Sequence, residues 1–187
     1  MQWIKHSKIF EGAHAFLSAS KYAWLRYSDD KLMEVYRKHR ASARGTELHE
    51  LAARLINAGV KLPKNGSTLS MYVNDAIGYR MTTEQLLFYS ENCFGTADAI
   101  SFRNNTLRIH DFKSGESPAK MDQLMIYASM FCLEYDVDPK DIRIELRIYQ
   151  SNDVEKYCPP AEEISDIMDI IKHANDIINE IRKMEED

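Results

Sequence analysis

The run RIHDFKSG, residues 108–115, carries an acid and an amine two positions apart, Asp111 and Lys113. In an extended chain alternate side chains share a face. Leu107, Ile109, Asp111 and Lys113 then point one way, and Arg108, His110 and Phe112 the other. An ammonium beside a metal-binding carboxylate can orient or activate a water, or neutralise charge on a phosphate. The spacing alone is not distinctive, because the chain holds two further copies, Asp29-Asp30-Lys31 and Asp138-Pro139-Lys140, in polar, turn-like surroundings.

Context separates the copy at Asp111. Asn104-Asn105 suits a two-residue hairpin turn, since Asn tolerates positive φ. That turn places Phe102 opposite Leu107, Ile100 opposite Ile109, Asp98 opposite Asp111 and Thr96 opposite Lys113. Directly opposed side chains have Cβ atoms about 4.5–5.5 Å apart, so two aspartates placed this way repel. The surrounding run is apolar and adds a desolvation cost. A divalent cation removes both penalties, and carboxylates, a backbone carbonyl and water suit Mg²⁺ or Mn²⁺. Gln123 and Tyr127, four residues apart, share a helix face beyond the strand end. They can hydrogen-bond a phosphate, a metal-bound water or Lys113. His49 lies beside the apolar stripe of its own helix. A neutral imidazole there can ligate a metal and favours Mn²⁺ over Mg²⁺.

These residues need a frame of helices and strands. Ser20 is expected to cap a short helix, and Asp29 or Asp30 a longer one from Lys31 to about Ser42. Thr46 is expected to cap a separate helix with the stripe Leu48, Leu51, Leu55 and Ile56, stopped by Gly59. Thr68 or Ser70 opens another through Ile77. From Leu86 the pattern turns to strand, through the run LLFYSENCFGTADAISF and then TLRIHDFK. Ser117 with Pro118 is expected to start a helix. Residues 141–150 read as a strand with Ile142, Ile144, Leu146 and Ile148 inward and Arg143, Glu145 and Arg147 outward. Residues 161–184 read as a long amphipathic helix. The fold class is α/β (α+β), a small sheet flanked by helices.

The 187 residues suffice for one well-buried domain. The three cysteines, Cys93, Cys132 and Cys158, are far apart with no C-x-x-C. That argues against a disulfide framework and against zinc or iron–sulfur sites. No apolar run spans a bilayer and the first twenty residues lack a signal-type core, so the expected compartment is cytoplasmic. A net charge of −5 gives no bulk case for nucleic-acid binding. One basic run exists, Arg37, Lys38, Arg40 and Arg44, which reads either as a solvated helix face or as a phosphate track.

Four segments in order, RGTELH (44–49), GTADAI (95–100), IHDFKSG (109–115) and QLMIY (123–127), resemble the RecB-like branch of the PD-(D/E)XK nuclease superfamily. That branch includes CRISPR-associated exonucleases and small phage exonucleases. The resemblance covers roughly residues 44 to 150. It implies a restriction-endonuclease-like core with a small mixed sheet, spanning 1–187 as one domain. Residues 1–43 would form a helical N-terminal part and 161–187 a C-terminal helix. It implies His49, Asp98, Asp111 and the Phe112 carbonyl as metal ligands, with Asp98, Asp111 and Lys113 catalytic. Gln123 and Tyr127 would support the site and contact DNA beside Arg37, Lys38, Arg40 and Arg44. Glu91 is a further acid near the hairpin. Tyr22, Trp24 and Tyr36 are aromatics that could stack on bases. The cysteines that bind an iron–sulfur cluster in some members are missing here, so no cluster is expected. The implied activity is Mg²⁺- or Mn²⁺-dependent DNA hydrolysis, as an exonuclease of phage or bacterial recombination or repair. The partner would be DNA that is single-stranded or has free ends. Without a helicase motor, processivity would need a homo-oligomer or a recombination partner. Two rival readings are a catalytically silent nucleic-acid-binding or assembly protein on the same fold, and a metal hydrolase without DNA affinity.

Overall fold

The computed structural model describes residues 15–115 and 117–186. The expected helical part at 1–43 therefore lies partly outside the described residues. Two compact units divide at Thr46, Met1–Thr46 and Glu47–Asp187. The described part of the first unit contains a 3-10 helix, Ala19–Arg26, and the start of α1 (Asp29–Asn57). The 3-10 helix follows Ser18 rather than Ser20.

α1 is one continuous helix where two were expected. Gly45 weakens a helix by about 1 kcal/mol, too little to break one with good formers on both sides. Thr46 does not cap: its hydroxyl donates back to the Ser42 carbonyl at 3.3 Å, one turn earlier. At the start, Ser28 Oγ rather than Asp29 or Asp30 accepts from the backbone, at Lys31 N. Gly59 ends the helix as expected, at φ 68°, where the Val60 N–H reaches the Leu55 carbonyl at 3.0 Å. α2 (Thr68–Gly78) is capped by Ser67, whose hydroxyl accepts from Ser70 N at 3.3 Å.

The second unit is a mixed sheet in the order β1-β2-β3-β4-β5: β1 (Thr82–Ser90), β2 (Cys93–Arg103), β3 (Thr106–Phe112), β4 (Arg143–Gln150) and β5 (Asp153–Tyr157). Only β3 and β4 pair in parallel, joined through α3 (Asp122–Tyr135). The chain ends in α4 (Ala161–Glu186). The α/β expectation is borne out. The single apolar run from Leu86 is in fact two strands turning at Glu91-Asn92. β5 has no counterpart in the sequence reading.

α3 and α4 cover one face, packing Leu124, Ala128 and Ile164 on Leu107, Ile109, Ile144 and Leu146. The end of α1 and α2 cover the other, packing Ile56, Val73 and Ala76 with Phe112 and Tyr149. Each such large side chain contributes about 1.5–3 kcal/mol through burial. A sheet covered on both faces corrects the expectation that Arg147 points to solvent. Arg147 is 6 % exposed under α2, bonded to Asp75, Glu145 and Tyr79. Ser117 and Pro118 do not start α3 either. The Gln150 side chain binds the carbonyls of Gly115 and Ser117 and the N–H of Ala119, holding that segment as a loop.

Candidate active site

The Asn104-Asn105 turn forms as expected, with φ 49° and 52°. The β2–β3 ladder pairs Phe102 with Leu107, Ile100 with Ile109 and Ala99 with His110, and ends there. The register is the expected one, but the ladder stops one pair short of Asp98 and Asp111, so the two aspartates do not become ladder partners. Asp98 turns its carboxylate onto the backbone instead. Its Oδ2 accepts from the Phe112 N–H at 2.9 Å and lies 3.4 Å from His49 Nδ1. The strands part at this point, and the notch between them collects the charged side chains.

Three donors meet on the α1 side. A ring nitrogen of His49 and carboxylate oxygens of Glu84 and Asp98 lie within 4.8 Å of one another. Glu84 sits at φ 50°, between the ladder pairs Thr83–Ala99 and Gln85–Ala97, and so directly across from Asp98. It was missing from the expected ligand set. Counting from the turn alone would not have found it: a two-residue turn at Glu91-Asn92 sets Glu84 against Ala99, and the register shift between Phe88 and Ser90 is what brings Glu84 level with Asp98. Glu91, the acid expected to help, is instead at that turn and faces Arg182 at 3.3 Å.

The α3 side brings a chain of hydrogen bonds. Lys113 Nζ donates to Asp111 Oδ1 at 3.0 Å and to Gln123 Oε1 at 3.1 Å. Gln123 Nε2 donates to the Tyr127 hydroxyl at 3.3 Å, across one helical turn. The Tyr127 ring lies over Gly95, whose missing Cβ leaves it room: a Cβ there would stand 2.9 Å from Tyr127 Cε1. Asp111 is 3 % exposed. Its Oδ2 also lies 3.0 Å from Lys113 Nζ, but at an angle that makes no hydrogen bond, and it has no other partner among the described residues. Phe112 packs its ring on Tyr72 and against His49, walling the notch.

Charge couples the two sides. Burial pushes the Asp111 carboxyl up, and the Asp98 charge pushes it further. Glu84 is raised by the same two causes. The hydrogen bond with Asp98 raises His49. Three crowded acids, one with a buried oxygen that lacks a hydrogen bond, and an imidazole nitrogen form a donor set that fits Mg²⁺ or, with its nitrogen ligand, Mn²⁺. Of the expected ligands, His49 and Asp98 converge, while Asp111 stands beside them bound to Lys113.

The other candidates lie elsewhere. Arg37, Lys38, Arg40 and Arg44 are exposed on α1 within the first unit, where Lys38 pairs with Glu34 at 2.7 Å. Tyr22 and Tyr36 are exposed there, Tyr36 packing edge-on to Phe16, and Trp24 donates its indole N–H to the Ser18 carbonyl. The cysteines are free thiols, buried at Cys132, half-buried at Cys93 and exposed at Cys158. Among the described residues no helix is long and apolar enough to cross a membrane.

Fold and site together define a mixed α/β protein with an acid, histidine and lysine centre at a break in its sheet. The chain belongs to the family described as Protein of unknown function (DUF2800), whose model matches residues 76–176. The matched segment includes Glu84, Asp98, Asp111, Lys113, Gln123 and Tyr127, and His49 precedes it.

Proposed function

We propose that this protein is a metal-dependent DNA nuclease, acting as an exonuclease. The observation that carries the reading is the convergence on one notch of His49, Glu84 and Asp98 with the Asp111–Lys113–Gln123–Tyr127 chain. The RecB-like resemblance supports it, and the exposed basic run on α1 offers a phosphate track.

His49, Glu84, Asp98 and Asp111 would hold Mg²⁺ or Mn²⁺, with the Phe112 carbonyl as a further donor. Such a cation, when bound, polarises a phosphate and lowers the pKa of a water. Asp111 and Gln123 grip the Lys113 ammonium from two sides. The third N–H of Lys113 remains free to meet a phosphate oxygen or an attacking water. Gln123 and Tyr127 fix that ammonium against rotation, so its position is set before substrate arrives.

End-labelled linear DNA incubated with Mg²⁺ or Mn²⁺ tests this. Cleavage is expected, with a loss of roughly 100-fold or more in Asp111→Ala and Lys113→Ala. Calorimetric titration with Mn²⁺ should show binding that weakens in Asp98→Asn and Glu84→Gln. No cleavage by the unmodified protein with either metal, or undiminished cleavage in both variants, would refute the reading.

A further inference from the structure

The β1–β2 hairpin carries a row of opposed pairs that begins at the site. Glu84 lies across from Asp98, Leu86 pairs with Thr96, and Phe88 pairs with Phe94. Alternate residues of a strand share a face, so the Leu86–Thr96 and Phe88–Phe94 pairs lie on one side, the side from which α1 brings His49 to Glu84 and Asp98. The intervening Leu87 is buried on the opposite side, in the core beneath α3. Along the row the side chains are open: Leu86 is 50 %, Phe88 45 % and Phe94 61 % exposed. The two phenyl rings stack with centroids 6.2 Å apart and planes 23° apart. They make a flat aromatic ledge, four strand residues, or about 13 Å, from the carboxylates.

We infer that Phe88 and Phe94 are a stacking platform for unpaired bases of the strand entering the site. The inference rests on the nuclease reading and adds the form of its substrate: single-stranded DNA at the point of contact. Three arguments select this occupant. The row is continuous with the carboxylates, so a single strand lying along it reaches them directly. Beyond Glu84 and Asp98 the row has no charged side chain, so it offers nothing to a phosphate backbone and much to the face of a base. Aromatic rings stack on any base, which suits an enzyme that must accept every sequence. A second copy of the protein fits less well. Three half-exposed side chains present about 300 Å², against roughly 800 Å² per partner in a stable interface.

The test uses the full chain and a single-stranded oligonucleotide containing 2-aminopurine, with Ca²⁺ in place of Mg²⁺. Binding to the unmodified protein should quench the probe, because the reporter base stacks on a ring. Phe88→Ala and Phe94→Ala should each weaken binding by roughly 5- to 100-fold and abolish the quench, the effect of one lost base–ring stack. Phe94→Trp should retain both, and affinity for blunt duplex should not change. Thermal unfolding checks that the variants fold, and the Trp variant carries the test if the Ala variants do not.

Unchanged single-strand affinity in the Phe88→Ala, Phe94→Ala double variant overturns the inference. So does a platform whose loss changes only the sedimentation of the protein, which would mark an interface between copies. The nuclease reading is judged separately, by cleavage and Mn²⁺ binding of unmodified protein. Cleavage that survives alongside unchanged variant affinity removes the platform alone. Stacking without cleavage removes the nuclease reading alone.

Discussion

Gly95→Ala is the sharpest probe of how the site is held. The new methyl group would sit 2.9 Å from Tyr127 Cε1 and 3.5 Å from its hydroxyl. Ordinary carbon contacts begin near 3.4 Å, so the ring must retreat by at least about 0.5 Å. The Gln123–Tyr127 hydrogen bond is already 3.3 Å long, and such a shift takes it beyond bonding range. Gln123 then loses its anchor, and with it the second grip on Lys113. Misplacement of about 1 Å costs on the order of 100-fold in rate, so a 10- to 100-fold loss of cleavage is expected. Stability should fall by only about 1–2 kcal/mol, since overpacking is partly offset by the stiffer unfolded chain. The assay is a double-mutant cycle on linear DNA with Mn²⁺. If Gly95 acts through the ring, the substitution costs little once Tyr127 is already Ala. An equal loss in both backgrounds, or none in the unmodified one, would refute the reasoning.

Three further outcomes follow from named contacts. His110 is buried, and desolvation followed by the charge of Arg147 holds its imidazole well below its usual range. The unfolded chain therefore takes up this proton first, and stability falls as pH drops below about 6.5, so the protein is less stable at pH 5 than at pH 7. Urea unfolding at both pH values, compared with His110→Gln, isolates the contribution of this imidazole; equal pH dependence in the two proteins contradicts it. Arg147→Met leaves Asp75 without its cation and Glu145 with only the Arg108 guanidinium, 3.7 Å away, and should cost about 3 kcal/mol, the low end for a broken buried pair because Asp75 is 40 % exposed. A loss below about 1 kcal/mol would mean the pair is dispensable. Asp98→Ala orphans the Phe112 N–H and should cost about 1–3 kcal/mol, whereas Asp98→Asn keeps an acceptor there. Equal stability of these two variants would show that the backbone contact carries no weight.

Much of the site was legible because a hairpin is a counting device. Two Asn at positive φ fixed the turn, and the turn fixed Phe102–Leu107 and Ile100–Ile109. The Gln123–Tyr127 pair followed from helical spacing, and Lys113 from alternation. Glu84 escaped because β1 and β2 read as one apolar run, Glu91-Asn92 lacks the glycine that usually announces so tight a turn, and a register shift between Phe88 and Ser90 moves the count by one. Arg147 was misread because alternation alone cannot tell a solvated face from one covered by a second layer of helices. The parallel pairing of β3 with β4 makes them central strands, and central strands are buried on both sides.

The failure of the expected Asp98–Asp111 pairing explains why the site is where it is. An intact ladder would have spent the Phe112 N–H on β2 and pressed the two aspartates together. The ladder stops one pair earlier, at Ala99–His110. Asp98 then satisfies the freed N–H itself, and Asp111 relieves its burial with Lys113. Glu84, directly across β2, takes a positive φ at the same level. The irregularity on both sides of Asp98 opens the sheet enough to admit His49 from α1 to the acids. Backbone regularity is thus given up over a few residues, and what replaces it is a set of donors that no regular sheet could bring to one point.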